Sequence, residues 1–266
     1  MKSTEAVGIN TAQKIQNSGP AIKTSFNPFC LSVSDHLFSR MFNKNFYSIK
    51  VKNIENYNLR DTSCGNIMFA SHNCWWDGQL GYLLCRKKFK TKMHMMIEEL
   101  HRLPLLSKIG AFSVEKDSPQ SAIKALNYSA EVLKNPDNTV WIFPQGKVMP
   151  PDYRPIEMAS GVSYICKKLD KVNLIPIAHR YNFIREDRPE IFVEVGKPII
   201  LKCDNLDRKT LTHKLEQELT TLLENQRKEI CSGNYEGYNI FLQSELCFIK
   251  KTEKRIRKLL QTFFNI

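Results

Sequence analysis

What this chain does not contain narrows its class before any motif is read. No stretch approaches the roughly 18 consecutive apolar residues that a membrane span needs, and the polar, unpatterned start from Met1 to Ser18 has no apolar core of signal-peptide length. The expectation is a cytoplasmic chain that does not cross a bilayer. Its eight cysteines, at 30, 64, 74, 85, 166, 203, 231 and 247, include no C-x-x-C pair and no accompanying histidine cluster at zinc spacing. They read as free thiols in a reducing compartment, and no metal site is expected. No internal repeat is evident, which excludes solenoids. Acidic residues are scarce, 27 against 39 basic ones, for a net charge of +12. Such a surface attracts polyanions: nucleic acids, anionic lipid headgroups or phosphorylated ligands. No helix-turn-helix, zinc finger or aromatic RNA-binding strand accompanies the charge, so nucleic acid is not an expected partner.

What is present is an alternation of strands and helices. With 266 residues, 42% hydrophobic and 10% aromatic, the chain suffices for an α/β domain of ordinary globular type. Residues 1–27 read as a flexible tail. Asn27-Pro28 supplies an N-cap and a first-turn proline for a helix to Phe42. Strands are expected at Tyr47–Ile54, Ile67–Ala70, Lys92–Ile97, Gly110–Lys116, Thr139–Phe143, Asn173–Ala178 and Ile191–Val195. Helices are expected after Asp77, from Ser118-Pro119 to Lys134, and from Ala159 to Leu169. Leucines 211, 215, 219, 222 and 223 share one face of a further helix running from about Leu206 to Ile230. We therefore read one domain over 28–230. Residues 231–266 follow as a basic amphipathic helical extension, with Leu246, Ile249, Ile256, Leu260 and Phe263 as its apolar stripe and Lys250, Lys251, Lys254, Arg255, Arg257 and Lys258 around it.

The chemistry-bearing segment is Ser71-His72-Asn73-Cys74-Trp75-Trp76-Asp77-Gly78. A buried strand ends in a histidine and a carboxylate follows five positions on, at the start of a helix. An imidazole accepts a proton near pH 7, and a carboxylate on its other nitrogen fixes the tautomer and stabilises the imidazolium. The same spacing in a purely structural pair would look alike. Its setting at the end of a strand in an α/β sheet favours a site able to take a proton from a hydroxyl.

Three further segments, in order, give the pair its context. Gly110 to Lys116 is a glycine followed by a short apolar strand ending in charge; Phe143-Pro144-Gln145-Gly146-Lys147-Val148 is a loop; Ile175-Pro176-Ile177 is an apolar strand around a proline. With His72 and Asp77 these blocks, spanning roughly residues 65–200, resemble the glycerolipid acyltransferase family of the lysophosphatidic acid acyltransferase type. The family's blocks are His-x4-Asp, Gly…Arg, Phe-Pro-Glu-Gly-Thr-Arg and the proline-containing strand. The resemblance implies one α/β domain with a central mixed, largely parallel sheet flanked by helices. It also implies His72 as general base, oriented by Asp77, for attack of a lipid hydroxyl on an acyl thioester without a covalent enzyme intermediate. Lys116, Phe143, Pro144, Gln145, Gly146 and Lys147 would bind substrate. The thioester, acyl-CoA or acyl carrier protein, is a co-substrate, and no cofactor is implied.

The third block departs from the family pattern: the carboxylate becomes Gln145 and the arginine position becomes Val148. A guanidinium fork suits bidentate phosphate binding; Lys116 or Lys147 offers only a point charge. The acceptor is therefore either a lysophospholipid, the family default, or a lipid alcohol without that phosphate; Trp75-Trp76-Asp77-Gly78 and Phe143-Pro144-Gln145-Gly146 resemble a bacterial subgroup whose implied acceptors include glycosylated carotenoids. An inactive, lipid-binding homologue is the remaining reading. Cys74 could be an activated thiol, although the family needs no nucleophile there. Trp75 and Trp76 pack beside the site or line an acyl channel, and His94, His101 and His179, which lack acidic or cysteine partners at helical spacing, read as ordinary surface or satisfied histidines rather than metal ligands. The five cations in Arg86–Lys92 could hold the phosphates of coenzyme A or face anionic lipid. The C-terminal helix has the composition of an interfacial one, so an anionic membrane surface is the expected partner. The expected location is peripheral, on the inner face of a membrane.

Overall fold

Asn27 accepts the Cys30 N–H on its side-chain oxygen at 3.0 Å and Pro28 takes the first turn, opening α1 (Pro28–Asn45) where the sequence signals it. The computed structural model describes residues 21–115, 118–184, 186–204, 206–245 and 248–264. Along these run β1 (Ser48–Lys52), β2 (Asn66–Ala70), α2 (Asp77–Leu84), β3 (Lys92–Glu98), β4 (Ala111–Val114) and α3 (Pro119–Val132). They continue with β5 (Asn138–Ile142), α4 (Gly161–Cys166), β6 (Lys171–Asn182), β7 (Glu190–Val195), β8 (Ile199–Lys202), α5 (Arg208–Cys231), β9 (Asn239–Gln243) and α6 (Phe248–Phe264).

The strands form one sheet in the order β4-β3-β5-β2-β6-β7-β1-β9, with β8 paired to β6. Pairs β3–β4, β3–β5, β2–β5, β2–β6 and β1–β7 are parallel, and β6–β7, β6–β8 and β1–β9 antiparallel. The sheet is thus mixed and largely parallel, as expected. Alternation along the buried strands feeds both faces. Met68, Ala70, Trp141, Ile175 and Ile177 pack with Phe42 of α1 and with Leu80, Leu83 and Leu84 of α2. Ile67, Phe69, Val140, Ile142 and Leu174 pack with α4 and with the α5 leucines 211, 215, 219 and 223. On the first face the Trp141 indole lies so close to α2 that a Cβ on Gly81 would meet its ring at 2.7 Å. Only glycine allows this approach, which seats α2, and therefore Asp77 at its first turn, directly over the central strands.

Several expectations change. Residues 21–27, placed in a flexible tail by sequence, run along the outer edge of the sheet. Ser113 N–H donates to Ile22 O at 2.9 Å, Ile22 N–H to Ser113 Oγ at 2.8 Å, and Ser25 N–H to Ser107 O at 2.9 Å. This covers the otherwise open edge at β4. The stretch 231–266 is not wholly helical, because β9 pairs with β1 and sets Phe241 and Leu242 against the core. α4 is shorter than its pattern suggests: the Ala159 N–H is taken by Pro144 O at 2.8 Å, outside any helix. β6 runs four residues past Ala178, and β8 was not anticipated. Lys116 and the stripe residue Leu246 lie outside the described residues.

His94, on β3, is only 5% exposed; its Nδ1 lies 3.3 Å from Thr24 Oγ1 and its ring meets Phe26 edge-on. Burial holds this imidazole neutral and lowers its pKa from 6.5 to about 4. The unfolded chain therefore binds the proton first, and stability falls as pH drops through the window between these values. At pH 4.5 the loss amounts to about 2–3 kcal/mol. Urea unfolding of His94→Gln should show that much less dependence between pH 7 and 4.5, and an unchanged dependence would remove His94 as its source.

Candidate functional site

β2 and β5 end side by side while β6 runs on past them, and the site lies at the carboxyl ends of these parallel strands. His72 stands two residues beyond the end of β2, and its backbone is held on both sides by the 143–149 loop. Its N–H donates to Gln145 Oε1 at 3.0 Å, and its carbonyl accepts the Met149 N–H at 2.8 Å. The imidazole stacks on the Phe143 ring, centroids 4.4 Å apart and planes within 14°. The block that departs from the family pattern therefore braces the base directly, and Gln145 does so through its amide oxygen.

Residues 73–76 turn the chain back so that Asp77, on the first turn of α2, reaches His72. His72 Nδ1 is 2.8 Å from Asp77 Oδ2, which also accepts the Asn73 and Cys74 N–H groups at 2.5 and 2.8 Å. The other oxygen, Oδ1, accepts the Tyr181 hydroxyl at 2.7 Å, His179 Nε2 at 3.0 Å and the Cys74 thiol at 3.4 Å. Burial alone would raise the Asp77 pKa. The attraction and hydrogen bond of His179, with the bonds from His72 and the Cys74 N–H, overcome burial and hold the carboxyl well below the usual range. A carboxylate can only accept, so Nδ1 of His72 carries its hydrogen and Nε2 keeps the lone pair. Asp77 is fully buried while the His72 side chain keeps 26% of its exposure. The couple thus has a dry orienter and an accessible base.

Gly146 takes a left-handed turn, φ 67°, closed by its N–H to Phe143 O at 3.1 Å. Beyond it lies a cavity of about 240 Å³ lined by Gln145, Lys147, Met149, Tyr153, Glu157, Met158 and Ala159. Of the expected substrate-binding residues, Gln145 and Lys147 reach its wall, while Phe143 and Pro144 shape the loop behind it. Val148 is exposed.

The neighbouring candidates separate. Cys74 is not a thiolate: burial, then the charge of Asp77, pushes its thiol up to about 11. Trp76 packs on Phe42 and Phe46, whereas Trp75 stands 64% exposed. Within the cationic run, Arg86 grips Asp35 of α1 with two hydrogen bonds, 3.1 and 2.8 Å, and Lys87 bonds Ser39. These two cations brace α1. His101 is exposed. His179 is 2% exposed and satisfied by its bond to Asp77, which ties it to the pair in a way the sequence reading does not signal, and that reading misses Tyr181. The available signal was alternation: Ile175, Ile177, His179 and Tyr181 continue one face of a strand whose apolar run stops at Ala178.

The model of the acyltransferase family matches residues 48–180. The 1-acyl-sn-glycerol-3-phosphate acyltransferase of Streptococcus pneumoniae is 24% identical over 173 residues, 61% of this chain and 62% of that protein. The chain therefore spans less than two thirds of that relative's length. Among solved structures, the 1-acyl-sn-glycerophosphate (LPA) acyltransferase PlsC of Thermotoga maritima is similar in fold, with a TM-score of 0.56 and 19% identity. That match covers 74% of this chain and 79% of the other.

Proposed function

The chain belongs to the glycerolipid acyltransferase family, and from that premise we propose that it moves a fatty acyl group from a thioester donor to a lipid hydroxyl, with His72 as general base oriented by Asp77. The supporting observation is the 2.8 Å bond between His72 Nδ1 and Asp77 Oδ2, which leaves Nε2 as the basic nitrogen of a partly exposed ring. In the reaction Nε2 takes the hydroxyl proton while the acceptor oxygen bonds to the thioester carbonyl carbon. The tetrahedral oxyanion collapses, the carbon–sulfur bond breaks, and the leaving thiolate takes the proton from the imidazolium. The products are an ester and a free thiol, and the base is restored. Asp77, ionised and buried, stabilises the imidazolium in between.

The default acceptor is 1-acylglycerol 3-phosphate, the substrate named for the pneumococcal relative, with Lys147 as a point charge toward its phosphate. An acceptor without phosphate is the second reading. It is favoured by Val148 at the arginine position and by Gln145, whose oxygen is committed to the His72 backbone. Purified protein incubated with labelled acyl-CoA or acyl carrier protein and a total lipid extract, followed by mass analysis, tests both. Acylated lysophosphatidic acid is expected; an acylated sugar lipid instead would select the second reading, and no acylated product from either donor would reject both.

No described helix is long and apolar enough to cross a membrane. Contact with an anionic membrane surface from its inner face is supported by exposed Ile256, Leu259 and Leu260 on α6, alongside Arg255, Arg257 and Lys258. Sedimentation with phosphatidylglycerol vesicles should be strong at low salt and weaken as salt screens the charges. Equal sedimentation with neutral phosphatidylcholine vesicles would contradict an electrostatic contact.

A further inference from the structure

We propose that His179 and Tyr181 are positioning residues for the His72–Asp77 couple: they anchor Asp77 Oδ1 so that Oδ2 stays turned to the base. The proposal rests on the reading of His72 as the base. A carboxylate rotates easily about its terminal torsion, which has broad, roughly two-fold wells, so one bond to His72 does not fix which way Asp77 faces. Here each oxygen has its own donors. Oδ2 takes His72 Nδ1 and the Asn73 and Cys74 N–H groups; Oδ1 takes Tyr181 O–H at 2.7 Å and His179 Nε2 at 3.0 Å.

Strand register delivers these donors. Ala70 of β2 pairs with Ile177 of β6 in parallel, so His72 and His179 each stand two residues beyond the same rung. Tyr181 follows two residues later on the same face. The residue between them, Arg180, pairs instead with Asp152 at 2.9 Å. Three successive residues of β6 thus split between two duties.

The bonding of His179 identifies its task. Its Nδ1 is buried with no hydrogen-bond partner among the described residues, so its polar contact runs through Nε2, which gives its hydrogen to the Asp77 carboxylate. The Tyr181 hydroxyl is likewise a donor at any working pH: burial, then the charge of Asp77, raises its pKa well above the ordinary value. An apolar residue would fill either place in the core without stranding a nitrogen or demanding a bond from a phenol. What both side chains provide is a fixed donor aimed at one carboxylate oxygen. Neither touches the accessible side of His72, so each acts through Asp77.

Proton NMR of the full chain reads this directly, without turnover. The His72 Nδ1 proton, shielded from exchange by Asp77, should give a low-field resonance assigned by its loss in His72→Ala. His179→Phe and Tyr181→Phe should broaden or remove it while the thermal unfolding transition stays cooperative. His179→Gln, whose amide nitrogen takes the place of Nε2, should restore it. In turnover with acyl-CoA and the acceptor identified from the lipid extract, His179→Phe should lower kcat by about 10- to 100-fold with little change in KM, and His179→Gln should recover most of it. A resonance as sharp in folded His179→Phe and Tyr181→Phe as in the parent would overturn the proposal, as would its absence from the parent. Tyr181→Phe removes a single oxygen and keeps the test decisive should His179→Phe not fold. Turnover that survives in His72→Ala would instead reject the base, and the resonance would still report whether Asp77 is held.

Discussion

His72→Ala should lower acyl transfer by orders of magnitude and leave the fold in place. The substitution removes only an imidazole that is partly exposed and stacked on Phe143. The backbone bonds of residue 72 to Gln145 and Met149 do not involve that ring and persist. Without the base, the acceptor hydroxyl must lose its proton to water, which costs about 10²- to 10⁴-fold in kcat. Mass analysis of the acylated lipid, beside circular dichroism and vesicle sedimentation of the same preparation, separates chemistry from folding and membrane contact. Turnover within about tenfold of the parent would remove His72 from the mechanism.

Asp77→Asn carries the second large effect, and it strikes activity and stability together. An asparagine amide offers one acceptor oxygen and one donor nitrogen where the carboxylate offered two acceptors. Donors converge here from His72, Asn73, Cys74, His179 and Tyr181. Those facing the new NH2 group lose their partner in a site only 1% exposed. At about 1–3 kcal/mol for each stranded donor, the loss of stability should reach several kcal/mol. Catalysis should fall about 10⁴-fold, because an amide neither fixes the His72 tautomer nor stabilises its imidazolium.

The sign of the pH dependence follows from the lowered pKa of Asp77. Its carboxylate contributes fully above the unfolded value near 3.9 and loses its contribution as pH falls further toward the folded value. Asp77→Asn should therefore be less sensitive than the parent to acid below about pH 4, whereas His94 acts in the window above it. Guanidinium unfolding at pH 7, about pH 4 and about pH 3 distinguishes them, the upper interval reporting His94 and the lower one Asp77. Equal stability of Asp77→Asn and parent at pH 7 would show that the donors find other partners.

Much of this molecule was legible in the chain because the forces are local. Asn27-Pro28 and Ser118-Pro119 mark helix starts that depend on one side chain and the next three N–H groups, and both caps form. Buried strands such as Ile67–Ala70 announce themselves by unbroken apolar runs. Other elements did not. β9 is an edge strand of five residues whose Ile240 is 56% exposed, so it has neither a full apolar run nor two buried neighbours. The order along residues 21–27 comes from partners far along the chain, such as Ser113, 91 positions from Ile22, and no local pattern encodes it.

The same division runs through the site. Sequence by itself determined the α/β class, the family, and the meeting of His72 with Asp77, because an imidazole and a carboxylate five residues apart need only one turn of chain to meet. Tertiary structure alone decided what surrounds the pair. The parallel register of β2 and β6 brings His179 and Tyr181 onto Asp77 from over a hundred positions away. The bonds of Gln145 and Met149 to the His72 backbone tie the 143–149 loop to the pair. Hydrogen bonds reach only about 3 Å, so which distant donors satisfy a buried carboxylate is fixed by strand register and helix seating, and neither is written in any short stretch of sequence.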